Sequence, residues 1–180
     1  YAQTVTDPST DPNYDIQKAA QANLNLGTLK RGSQETPPIT SINSFKSTAS
    51  SCFIPVDGSY TAIPRNDDGS YGPINLPFNF NLYVANYTQV WINTNGNLTF
   101  DGGYSAYSAS GFPFYKAMVA PFWADVDTRS GGVIYYKLNS TSLIVTWNGV
   151  GYFSYQTGRL NTFQAIIGTN ADPLTGVGQN

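Results

Sequence analysis

From position 52 onward the chain alternates short apolar runs with clusters of Gly, Asn, Ser and Pro, a period-two pattern that predicts β-strands rather than helices. The predicted strands are Cys52–Val56, Ile74–Phe80, Gln89–Asn93, Asn97–Phe100, Met118–Phe122, Val133–Leu138, Ser142–Trp147 and Asn161–Ile167. Two hairpins stand out. Val90-Trp91-Ile92-Asn93 returns through Thr94-Asn95-Gly96 into Leu98-Thr99-Phe100, where Asn-Gly supplies the positive φ of a tight turn. Val133–Lys137 returns through Asn139-Ser140-Thr141 into Leu143–Trp147. Eight short strands with no helix-length segment between them predict an all-β, mainly antiparallel sandwich. Its expected core holds Phe78, Phe80, Val90, Ile92, Val119, Phe122, Val133, Tyr135, Ile144 and Phe163, together with Trp91, Trp123 and Trp147.

The first fifty residues read differently. They hold few large apolar side chains and are punctuated at Asp7-Pro8, Asp11-Pro12 and Pro37-Pro38. Residues 1–50 are therefore expected to form an extended arm or linker, and residues 51–180 the β domain. Within the arm, Asp15–Leu26 suits two or three helical turns with Asp15 at the positive end of the helix dipole. The alternation Leu24, Leu26, Thr28 suits a short strand equally well.

Composition sharpens this picture. Asn, Thr, Ser, Gly and Pro supply 79 of 180 residues, and the charged residues only 20, with a formal net charge of −2. No basic field for nucleic acid results. No apolar stretch reaches the roughly 18 residues of a membrane helix. The chain has no His, which removes histidine-assisted nucleophiles, histidine bases and histidine metal ligands. Its single cysteine, Cys52, can form no internal disulfide and has no zinc framework around it. The low-charge surface has an extracellular character, and Asn86, Asn97 and Asn139 begin glycosylation sequons.

Ordered blocks between about Ile63 and Thr169 carry a resemblance. Asn66-Asp67-Asp68-Gly69-Ser70, Leu76-Pro77-Phe78-Asn79-Phe80 and Val90–Phe100 precede Met118-Val119-Ala120-Pro121-Phe122-Trp123-Ala124-Asp125-Val126-Asp127-Thr128. Val133-Ile134-Tyr135-Tyr136, Trp147–Tyr152 and Asn161–Ile167 follow. In order and spacing these blocks resemble a nidogen-type (NIDO) domain. The resemblance implies a secreted or cell-surface, non-catalytic module of matrix and adhesion. It also implies strands beyond Ile167, so the domain is expected to lack its last strands, and the arm has no counterpart in the motif.

Two clusters offer binding chemistry. Asp125 and Asp127 are the metal-ligand candidates: they share one face of an extended segment, Asp67, Asp68 or Asp101 could add oxygens, and Ca²⁺ is the cation such hard ligands would take. The competing reading is structural, with these carboxylates capping turns and pairing with Arg129 or Arg65. As i and i+2 neighbours, Asp125 and Asp127 suit glycoside hydrolysis poorly, because catalytic carboxyls flank a bond about 5–9 Å apart. The second cluster is aromatic: Tyr104 and Tyr107, and Tyr152 and Tyr155, could stack on sugar rings.

Two functions follow as expectations. One is a structural or adhesion module that binds other copies of itself or other surface and matrix proteins. Its arm, through Asn23–Leu29 or Ile39–Phe45, would pair along a neighbour's bare sheet edge. The other is a lectin-like module that binds glycans through the tyrosine loops and the Asp cluster.

Overall fold

The computed structural model describes residues 4–26 and 53–176. The described elements, in chain order, are β1 (Thr4–Thr6), a 3₁₀ turn (Pro8–Thr10), α1 (Tyr14–Leu26), β2 (Thr61–Ala62), β3 (Ser70–Leu82), β4 (Ala85–Asn93) and β5 (Asn97–Thr99). They continue with β6 (Met118–Val119), β7 (Val126–Asp127), β8 (Val133–Leu138), β9 (Ser142–Tyr152) and β10 (Gln156–Gly168). Two antiparallel sheets form, ordered β1-β3-β4-β5-β6 and β10-β9-β8-β2, with β7 also pairing β9. The all-β sandwich expected from the sequence is what the chain adopts.

Each predicted hairpin sits in a different sheet. Gly96 has a φ of 77° in the turn that brings Asn93 opposite Asn97, while Leu138 faces Leu143 across the second turn. Along β3 the alternation is strict: Ile74, Leu76, Phe78 and Phe80 point inward, and Asn75, Pro77, Asn79 and Asn81 face solvent. They meet Val90, Ile92, Leu98, Val126, Ile134, Leu143, Val145 and Trp147 in one cluster between the sheets. Trp147 stacks on Phe163 with ring centroids 4.9 Å apart and donates its indole N–H to the Thr94 carbonyl at 3.1 Å. That bond satisfies the one polar atom of a fully buried indole and ties β9 to the β4–β5 turn.

Several expectations are corrected. Cys52 lies outside the described residues, and Phe53–Val56 is not a strand. There the Gln164 side chain takes the place of a ladder partner, accepting the Ile54 N–H at 3.1 Å and donating to its carbonyl at 2.9 Å. In β8 the inward residue is Ile134, set opposite Trp147, so Val133 and Tyr135 are only half-buried. A one-residue change of parity flips every side chain of a strand. β6 ends at Val119 before Pro121, leaving Val119 half-buried and Phe122 43% exposed, its ring 5.1 Å from that of Phe163. Phe163, Trp91 and Trp123 are likewise half-buried.

Asp15–Leu26 is helical, within a helix that starts at Tyr14. Asn23–Leu26 therefore does not serve as a strand, and the rest of Asn23–Leu29, with Ile39–Phe45, lies outside the described residues. The strand in this region is β1, which pairs with the start of β3 through Thr4 to Gly72 and Thr6 to Ser70.

Candidate functional site

α1 presents Tyr14, Lys18 and Gln21 along one face, the i, i+4, i+7 spacing that aligns side chains on a helix. The site is where this face meets the loop before β3. Asn66 shapes that loop: its side-chain oxygen accepts the Gly69 N–H at 2.9 Å and the Thr94 hydroxyl, while its own N–H donates to Thr128 Oγ1 at 2.8 Å. Asp68 adopts a φ of 58°, a left-handed conformation that Asp tolerates better than most residues. The result turns two adjacent carboxylates inward, with Asp67 at 0% and Asp68 at 4% exposure.

Lys18 enters this acidic pocket with 3% of its surface exposed. Its Nζ lies 2.6 Å from Asp125 Oδ1, 2.9 Å from Asp68 Oδ2 and 3.1 Å from Asp67 Oδ2. The rings of Phe153, Tyr107 and Tyr14 surround it, with centroids at 4.4, 4.8 and 5.5 Å. The Tyr14 hydroxyl donates to Asp68 and, at 3.1 Å, to Asp67. A second cation lies alongside. Arg129 joins Asp127 at 2.7 Å, Asp15 of α1 at 2.9 Å and Asp67 at 3.1 Å, and its guanidinium lies 3.8 Å from the Tyr155 ring.

Five carboxyl groups (Asp15, Asp67, Asp68, Asp125, Asp127) thus face two cations (Lys18, Arg129). Burial, with Asp68 alongside, pushes Asp67 up to about 7 even though Lys18 touches it. Burial also raises Asp125, against the pull of Lys18. Burial would raise Asp127 too, but hydrogen bonds from the Arg129 side chain and from the Tyr155 and Arg129 N–H groups hold it below the usual carboxylate range. Burial disfavours the Lys18 ammonium, yet Asp125, Asp67 and Asp68 together keep it charged.

The residues singled out in the sequence fall around this clasp in different roles. Asp125 belongs to the pocket, and a triad of Asp67, Asp68 and Asp125 brings one oxygen each within 4.8 Å of the others, but the Lys18 nitrogen occupies their meeting point. Asp127 is not one of that triad: both its oxygens are bound to Arg129 and one also to the Tyr155 N–H. Pairing with Arg129 is the structural alternative that the sequence raised. Tyr107 covers Lys18 and donates its hydroxyl to Gln21 at 3.1 Å. Tyr155 covers Arg129. Tyr104 packs edge-on against Phe114 and Trp123, at 5.4 and 5.7 Å. Tyr152 is 38% exposed and lines a cleft of about 560 Å³ with Phe122, Asp125, Arg159 and Asn161. Lys18 escaped the sequence reading: its only local signal is the four-residue spacing from Tyr14, and its acidic partners lie 49 to 107 positions away.

The family described as NIDO related matches residues 44–171. The chain belongs to the NIDO-related family. It is 30% identical to nidogen of Drosophila melanogaster over 141 residues, which is 63% of this chain and 10% of the relative. It is 29% identical to human alpha-tectorin over 168 residues, 66% of this chain and 8% of the relative, and 24% identical to mouse nidogen-2 over 143 residues. The chain spans a tenth or less of the length of these relatives. No solved structure matches it significantly. As a member of this family it is an extracellular domain. No helix among the described residues is long and apolar enough to cross a membrane.

Proposed function

We propose that this domain is a non-catalytic assembly module, which joins other copies of itself or neighbouring matrix and surface proteins through its N-terminal arm. The observation that carries the reading is the docking of the arm: β1 extends the edge of the first sheet at β3, and α1 inserts Lys18 into the acidic pocket. An edge strand completed by a segment far away in sequence accepts the same segment from another copy equally well, since the ladder bonds and the pocket are unchanged. Residues 27–52 join the arm to the body, a length that spans roughly 85 Å at full extension. The relatives named nidogen and alpha-tectorin support the matrix reading.

The test is the solution mass of the full chain over a range of concentrations, compared with a chain lacking residues 1–26 and with Lys18→Ala. Higher assemblies in the full chain that vanish in both variants are the expected result. Equal masses in all three overturn arm-mediated assembly.

A second reading draws on the cleft beside the clasp. The half-exposed rings of Phe122 and Tyr152 flank Asp125, Arg159 and Asn161, a mixture of stacking faces and hydroxyl-binding groups that suits a glycan. Glycan-array signal that Tyr152→Ala abolishes would support it, and an array without signal would end it.

A further inference from the structure

The Lys18 pocket is unusual in placing a buried primary amine against three carboxyl groups. Its Nζ is 2.6 Å from Asp125 Oδ1, the shortest of its three carboxyl contacts, and its side chain is 2% exposed. Phe153, Tyr107 and Tyr14 form the aromatic wall. Of the three carboxyls, Asp67 is also tied to Arg129 and Tyr14, and Asp68 to Asn95 and Tyr14. Asp125 is hydrogen-bonded through its side chain to Lys18 alone among the described residues. Its side chain is 33% exposed, so a small product has a way out.

We propose that Lys18 and Asp125 condense to an amide, Lys18 Nζ displacing water from Asp125 Cγ, with Asp67 moving the proton between them. The resting pair is ammonium and carboxylate, and the reaction runs through its minor form, in which the proton has crossed the short contact to Asp125 and left a neutral amine beside a neutral acid. The nitrogen lone pair then attacks Cγ, and the N–C bond forms as the carbonyl π-bond opens. Asp67, whose two oxygens lie 3.2 and 3.1 Å from Nζ, takes the proton from nitrogen and returns it to the departing hydroxyl. The C–O bond breaks and one water leaves. Ammonium plus carboxylate becomes amide plus water, with no change of net charge and no oxidant or other reagent.

Holding the two groups in contact supplies the effective concentration that free amines and acids lack, and shielding the amine, whose side chain is 2% exposed, strips most of its solvation. Asp67 suits the shuttle because burial, with Asp68 alongside, raises it to about 7, where one group both takes up and gives back a proton. The bond would link positions 107 apart and fasten the arm to the body in a chain whose single cysteine can make no internal disulfide. Such a bond holds the arm on its own chain's body, so only chains in which Lys18 and Asp125 are still unlinked can exchange arms with another copy.

The intact mass of the purified full chain decides it. The expected mass is one water below the sequence mass, with a branched proteolytic peptide joining Lys18 to Asp125 and no tryptic cleavage after Lys18. Lys18→Arg and Asp125→Ala should each restore the full mass, as should Asp67→Asn with its circular dichroism unchanged. Full mass in the wild type overturns the proposal, as does loss of water without the branched peptide, or a loss that persists in Asp125→Ala. Because the wild-type measurement stands alone, the test holds even where a variant fails to fold. A branched peptide in Asp67→Asn would overturn the role given to Asp67.

Discussion

The side-chain nitrogen of Asn95 lies 2.6 Å from Asp68 Oδ1, and the oxygen of the same amide accepts the Val126 N–H at 2.9 Å. One buried side chain in the β4–β5 turn therefore holds both the acidic loop and β7. Asn95→Ala strands a buried carboxylate oxygen and a buried N–H. The expected loss of stability is about 2–4 kcal/mol, since each unsatisfied buried group costs about 1–3 kcal/mol and a charged one more. Urea unfolding followed by tryptophan fluorescence measures it.

Lys18→Met keeps most of the side-chain volume and removes the charge. The carboxyls of Asp67, Asp68 and Asp125 then face one another without their central cation. Measured against wild-type chains of full, unlinked mass, removing one partner from this buried ionic cluster costs about 3–5 kcal/mol. Hydrogen exchange should show residues 14–26 losing protection before the sheets do, because among the described residues Tyr14, Asp15, Lys18 and Gln21 carry the side-chain hydrogen bonds from the helix to the body.

The pH dependence follows from Asp67, raised from 3.8 to about 7. A carboxyl with a raised pKa binds its proton more tightly in the folded state, so its contribution is complete below about pH 4 and is lost as pH rises toward about 7. Asp127, lowered by Arg129 and the two N–H groups, acts in the opposite sense and loses its contribution as pH falls through the acid range. Between pH 4 and pH 7 the wild type should thus lose stability relative to Asp67→Asn, and the two curves should run parallel above pH 8. Denaturant midpoints taken across this range check the prediction, and a constant difference would contradict it.

Gly96→Ala tests the first hairpin. A Cβ there would sit 1.8 Å from the Phe122 carbonyl oxygen, on a residue whose φ of 77° already disfavours a side chain. A backbone obstacle cannot swing aside as a side chain can, so the expected cost is about 2–5 kcal/mol. Gly58→Ala is the control, because nothing lies within 4 Å of its Cβ. It should change stability by less than about 0.5 kcal/mol. Chemical denaturation of the pair reads both.

Period-two alternation and turn chemistry were enough to show the fold class and both hairpins, because they are local properties: the alternation that puts Phe78 and Phe80 inward and the Asn95-Gly96 turn each lie within a few residues of chain. Parity in β8 was not legible. Val133, Ile134, Tyr135 and Tyr136 are all apolar or aromatic, and only pairing with Trp147 chooses Ile134 as the inward one. The acidic residues were visible as candidates, yet their roles were not. Asp125 and Asp127 look equivalent in sequence, but an arm from the far end of the chain delivers Lys18 to one, and Arg129 turns to the other. Charges two residues apart acquire opposite shifts only when burial and partners from distant segments are assembled, and that assembly belongs to the tertiary structure.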